Sequence, residues 1–113
     1  MDNKVIIRIN SILGYIDEVI EDLKSLTFEQ FKQSSVYMKA TSFSIVLIGE
    51  QMMSLEAKIG KEYPNLPWKI VRGMRNFIVH NYSHIDAEEV YKTAKKDLPE
   101  LKEALLKVKM ELQ

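Results

Sequence analysis

The eight residues Gly60 to Pro67, GKEYPNLP, restrict what this chain can fold into more than any other stretch. One glycine and two prolines in so short a run end any regular element that enters it. Gly60 suits a left-handed helix cap, Pro64 and Pro67 interrupt the supply of backbone amides, and Pro67 is well placed as the first residue of a new helix. Both sides of the break read as helix. Upstream, from about Asn3 to Lys24, apolar residues fall at Val5, Ile9, Ile12, Ile16, Val19 and Leu23, with Ile6, Leu13 and Ile20 widening the stripe. Asp17, Glu18, Glu21 and Asp22 give that helix a solvated face. Leu26 to Phe28 interrupt the pattern, and Thr27 with Gln30 has capping-box spacing, which predicts the start of a short helix.

The segment from Ser34 to about Ile59 contains FSIVLIG, apolar around most of its circumference, and such a helix must be covered by its neighbours or by a second subunit. Ser35, Thr41, Ser42 and Ser44 are able to turn hydroxyls back onto the helix backbone. Gly49 permits close backbone approach, and Glu50 is read either as an exposed helix residue or as a carboxylate facing the helix that follows the break. Downstream, Pro67 to about Tyr82 forms one helix, its apolar side made of Ile70, Val71, Met74, Phe77, Ile78 and Val79. Asp86 with Glu89 signals the final helix, whose buried side is Val90, Ala94, Leu98, Leu101, Leu105 and Val108. Pro99 must bend or restart it, with Asp97 as the cap of a restart. No strand candidate, internal repeat or low-complexity linker is visible. The expectation is a single all-α domain over residues 1–113, a bundle of four main helices plus one short one.

Composition narrows the chemistry. The absence of cysteine removes disulfides, thiolate metal sites and a cysteine nucleophile. The N-terminal MDNKVIIRIN has no secretory pattern and no segment is apolar for long enough to span a bilayer, so no membrane partner is expected and a cytoplasmic location is the default. Formal charge sums to zero, yet residues 58–84 carry five basic groups and one acidic. That local excess can hold a phosphate without making the whole surface adhesive to nucleic acid.

The basic excess coincides with WKIVRGMRNFIVHNYSH, Trp68 to His84. Arg72, Asn76 and His80 are spaced to stack on one helix face. Arg75 lies off that row, about 140° from His80 around an ideal helix. Three geometries would unite them: the guanidinium reaches across, the helix distorts near His80, or the pair converges in a cleft formed with another copy of the chain. His80 can take or supply a proton near neutral pH, and Arg75 and Arg72 can hold a phosphate and stabilise charge developing on phosphorus. This set suits RNA cleavage: His80 draws the proton from a ribose 2′-hydroxyl, the oxygen attacks the adjacent phosphate, Arg75 stabilises the transition state, and Asn76 orients His80 or donates to phosphate. No metal is needed. On spacing alone, an arginine and a histidine on one helix are a weak signal, and a structural role is the more ordinary reading. His80 and His84 could bind a metal only if the helix continued, and no acidic residue accompanies them. Trp68 and Tyr63 can stack on a base or anchor the helix start.

Arg75, four residues, His80, one residue, Tyr82 resembles the Arg-x4-His-x-Tyr motif of HepT-like toxins in the HEPN superfamily. The resemblance covers almost the whole chain, including IGE at Ile48–Glu50, PWKIVRGMRN at Pro67–Asn76 and LPEL at Leu98–Leu101. It implies an up-and-down bundle that pairs as a homodimer, with motif residues of both copies lining one cleft. It further implies a metal-independent endoribonuclease, the toxin of a toxin–antitoxin pair, acting on RNA such as tRNA. Its partner would be an MntA-like nucleotidyltransferase that inactivates it by transferring AMP from ATP to Tyr82. ATP is then the partner's substrate and this chain needs no cofactor. The competing reading is a non-catalytic, nucleotide-binding accessory subunit of a nucleotidyltransferase, and a third is a helical dimer with a scaffolding role.

Overall fold

Local capping chemistry sets where the helices start. Thr27 and Gln30 form the expected reciprocal box: the Gln30 amide donates to the Thr27 hydroxyl at 3.2 Å and the Thr27 amide to the Gln30 side chain at 2.9 Å. Ser34 Oγ accepts from the Tyr37 amide, and Asp86 Oδ1 from the amides of Glu88 and Glu89 at 3.0 and 3.3 Å. The computed structural model describes residues 3–113 and contains helices α1 (Asn3–Leu23), α2 (Phe28–Gln33), α3 (Ser35–Ile59), α4 (Trp68–His80), α5 (Ala87–Lys92) and α6 (Leu98–Leu112). A π-helical turn, Thr93–Asp97, joins α5 to α6 in one continuous rod. Counting that rod once gives the four main helices and one short helix read from the sequence, and no strand occurs among the described residues.

The apolar stripes meet as their spacing requires. Ile9, Ile12, Ile16, Val19 and Leu23 of α1 pack with Ile45, Ile48, Met52 and Leu55 of α3 and Leu98, Leu101 and Leu105 of α6, all almost fully buried. Each such side chain contributes about 1.5–3 kcal/mol of burial. Tyr91 and Lys95 close the far end of α1, donating to the carbonyls of Leu26 at 2.8 Å and Leu23 at 2.7 Å. These bonds tie the α5–α6 rod to the end of α1 and the link that follows it. Helix α4 docks mainly on α3.

Several expectations need correction. Gly60 has ordinary right-handed angles, φ −58° and ψ −35°, so it is not a left-handed cap. Its amide still bonds the Glu56 carbonyl at 2.8 Å, and a Cβ there would stand 2.6 Å from that carbonyl oxygen. The helix ends instead because Pro64 and Pro67 follow. Pro67 is the cap of α4 rather than its first residue, its carbonyl accepting from the Val71 amide at 3.1 Å. Asp97 is helical and caps nothing. The Leu98 amide bonds the Thr93 carbonyl five residues back, so the rod widens by one residue just before Pro99, and the missing proline donor breaks no further turn. On α4 only Trp68, Val71 and Ile78 are buried, whereas Ile70 is 58% exposed and Phe77 also faces outward. The Ser42 hydroxyl is buried without a partner among the described residues instead of turning back onto the helix.

Candidate functional site

Gly49 fixes how α4 approaches α3. A Cβ built there would stand 2.4 Å from Arg75 Cβ and 2.8 Å from its Cγ, so only glycine lets the Arg75 stem lie against the α3 backbone. The next residue, Glu50, then meets the guanidinium: one carboxylate oxygen accepts from Arg75 Nε at 2.7 Å and lies 2.6 Å from Nη2. Arg75 Nη1 donates to Asn76 Oδ1 at 2.9 Å. Glu50 is thus exposed and also faces the arginine-bearing helix, uniting the two readings of it. A guanidinium has five N–H donors. Two of them are hydrogen-bonded, Nε–H to Glu50 and one Nη1–H to Asn76, and each terminal nitrogen keeps at least one hydrogen for a phosphate oxygen. With its side chain 26% exposed, Arg75 is both reachable and held in one orientation.

Arg72 makes a second ion pair from α4 to α3, with Glu56. Both arginines of α4 are thus paired with a carboxylate of α3, and Arg75 differs in being held by Asn76 as well. Asn76 and His80 are exposed on the same α4 face one turn apart. Of the three ways to unite Arg75 with His80, distortion of the helix does not occur, and no hydrogen bond joins the two side chains among the described residues. The helix is regular through His80, and the guanidinium is drawn toward Glu50 and Asn76.

The helix ends two residues before the expected Tyr82. Asn81 terminates it, its amide bonding the Ile78 carbonyl and its side chain donating to the Phe77 carbonyl at 2.7 Å. Tyr82 therefore sits in the turn that follows, 79% exposed. Because the chain turns between them, His80 and His84 are not a helical pair, and no group of three potential metal ligands forms among the described residues. Trp68 is buried and donates to the Tyr63 carbonyl at 2.9 Å, so it anchors the helix start. Beyond the motif, Lys39, Ser42, Phe43, Val46, Ile78, Val79, Tyr82 and Ile85 line an apolar groove of about 430 Å³ between α3 and the end of α4. Its only sequence signal was the excess apolarity of FSIVLIG.

The ribonuclease HepT-like family profile matches residues 12–108 of this chain, from the middle of α1 to α6. Two proteins of Methanocaldococcus jannaschii described as candidate RNases are similar to it. One is 31% identical over 102 residues, 90% of this chain and 88% of the relative. The other is 32% identical over 97 residues, 86% of this chain and 80% of the relative. A protein of Thermococcus cleftensis described as a probable ribonuclease HepT is 30% identical over 91 residues, 77% of this chain and 83% of the relative. No solved structure matches significantly. With the profile spanning α3, α4 and every residue of the site just described, the chain belongs to the ribonuclease HepT-like family.

Proposed function

We propose that this protein is an endoribonuclease that cleaves RNA through Arg75 and His80 without a metal. The observation that carries the reading is the restrained Arg75 guanidinium: Glu50 and Asn76 hold it while two of its hydrogens remain for a phosphate. His80 takes the proton of a ribose 2′-hydroxyl, the 2′-oxygen bonds to phosphorus, and the 5′-oxygen of the next nucleotide leaves and is protonated. Arg75 stabilises the charge that accumulates on the phosphoryl oxygens. Asn76, its Oδ1 spent on Arg75, has its amide hydrogens for a phosphate oxygen.

In this account the working unit is a homodimer. No hydrogen bond joins Arg75 to His80 within one chain among the described residues, and a second copy supplies the other half of the cleft. The outer face of α3 offers the surface, with Phe43 64% exposed beside the apolar groove. The protein acts as the toxin of a toxin–antitoxin pair, neutralised when an MntA-like nucleotidyltransferase transfers AMP to Tyr82. An exposed phenol two residues from His80 suits that role, because an adenylyl group there adds bulk and negative charge beside the cleft.

The test is cleavage of cellular RNA, tRNA included, by the purified protein in the presence of chelator. Wild type cleaves, and His80→Ala and Arg75→Ala do not. RNA left intact by wild type, alongside tight binding of a nucleotide, would replace the nuclease with the accessory-subunit reading. A mass increase by AMP units with the partner and ATP that persists in Tyr82→Phe would remove Tyr82 from the scheme.

A further inference from the structure

The chain has three arginines, and they are not treated alike. Arg72 and Arg75 are each neutralised by a carboxylate of α3, Glu56 and Glu50. Arg8 is different. It projects from α1 toward α3, and its Nη1 donates to the side-chain oxygen of Gln51, a neutral group. Among the described residues no carboxylate pairs with it. A half-buried guanidinium steadied by an amide keeps its full positive charge and has given up part of its orientational freedom. It lies in a groove of about 320 Å³ lined by Lys4, Ile7, Arg8, Ser11 and Gln51. Ile7 is exposed there, an apolar surface against which a sugar can rest.

The position of Gln51 links this groove to the proposed active site. It follows Glu50 directly, so the residue that orients Arg8 is the chain neighbour of the residue that orients Arg75. Consecutive helix residues project about 100° apart, so the two guanidinium groups are held against different faces of α3. A strand that contacts both guanidinium groups has to bridge these two faces of α3. A polyanion with regularly spaced charges fits such a path, and a compact single anion does not.

We propose that Arg8 binds a second phosphate of a single-stranded RNA whose scissile phosphate sits at Arg75. The proposal rests on the ribonuclease reading and names a part of the substrate that the motif does not reach. Arg8 is engaged by Gln51 on a different face of α3 from the one that holds Arg75, so its contribution is to affinity for substrates with more than one phosphate.

The test compares wild type, Arg8→Gln and Arg8→Lys on an RNA oligomer and on a dinucleoside monophosphate, which has a single phosphate and cannot fill both positions. Losing one phosphate contact to single-stranded RNA flattens the slope of log affinity against log salt by about 0.7, which is about fourfold in affinity at 0.15 M salt. Arg8→Gln should therefore raise KM for the oligomer about fourfold with kcat unchanged, leave the dinucleotide unaffected, and flatten the salt slope by about 0.7. Arg8→Lys should restore both. Equal effects on the two substrates, a loss of kcat, no effect at all, or weakened binding of an acidic protein partner with RNA binding intact would each overturn the proposal. Oligomer binding by the His80→Ala protein, with and without Arg8→Gln, separates the two claims. An Arg8-dependent salt slope there, with no cleavage by wild type, sinks the nuclease and keeps the site. Cleavage by wild type with an unchanged slope does the reverse.

Discussion

Replacing Gly49 by alanine tests whether close helix approach builds the site. Two effects oppose each other. In a helix interior, glycine to alanine stabilises by about 0.5–1 kcal/mol when nothing obstructs the new methyl group. Gly14 and Gly73 are in that position, with no atom within 4 Å of an added Cβ. At Gly49 the methyl would lie 2.4 Å from Arg75 Cβ, where carbon atoms normally sit about 3.5–4.0 Å apart. The obstruction is the root of a side chain, so α4 must move away from α3 by about 1 Å. Overpacking of this kind costs about 1–3 kcal/mol, which should be the stability gap between Gly49→Ala and Gly14→Ala. For 113 residues a change of 1 kcal/mol shifts Tm by about 4 °C, so the gap is about 4–12 °C. The same displacement pulls Arg75 off Glu50, and a misplacement of about 1 Å costs about 10²-fold in rate. Thermal melts and RNA cleavage on the matched variants measure both effects. Equal melting and equal cleavage for Gly49→Ala and Gly14→Ala would refute the argument.

The other expectations are simpler. Glu50→Ala should change stability by less than about 1 kcal/mol, since the Arg75 pair is half exposed, yet lower kcat by releasing the guanidinium. Glu50→Gln, which retains an acceptor, should recover part of the loss, and full activity in Glu50→Ala would mean that Arg75 needs no such support. Ser42→Ala should stabilise the fold by about 1 kcal/mol in denaturant titrations, because it removes a buried hydroxyl that has no partner. A destabilised variant would mean that the hydroxyl is bonded after all.

Much of the fold was legible in the sequence because its signals are local. The Thr27–Gln30 box, the Asp86 cap and the stripes of α1 and α6 depend on residues three or four apart, and each appears where its spacing put it. The errors arose where backbone geometry at a helix end or a second element decides. Gly60 is glycine because the Glu56 carbonyl crowds it, not because its φ is positive. Asp97 is no cap, because a π turn two residues upstream of Pro99 absorbs the missing donor. Ile70 and Phe77 match an apolar pattern but point away from α3, the element on which α4 mainly rests. The candidate site was half legible. Arg75, Asn76 and His80 follow from the motif, whereas the grip of Glu50 on Arg75 joins residues 25 positions apart and the sequence offered it only as one of two readings of that carboxylate.

The central claim is that the guanidinium of one copy and the imidazole of another act on one phosphodiester. It is tested most directly by co-expressing Arg75→Ala and His80→Ala chains under different tags and purifying the mixed species. Each parent should be inactive, and the mixed species should cleave RNA, because one of its two pairs of Arg75 from one copy and His80 from the other is intact. A mixed species as inactive as its parents, or the absence of any stable mixed species, would contradict the account.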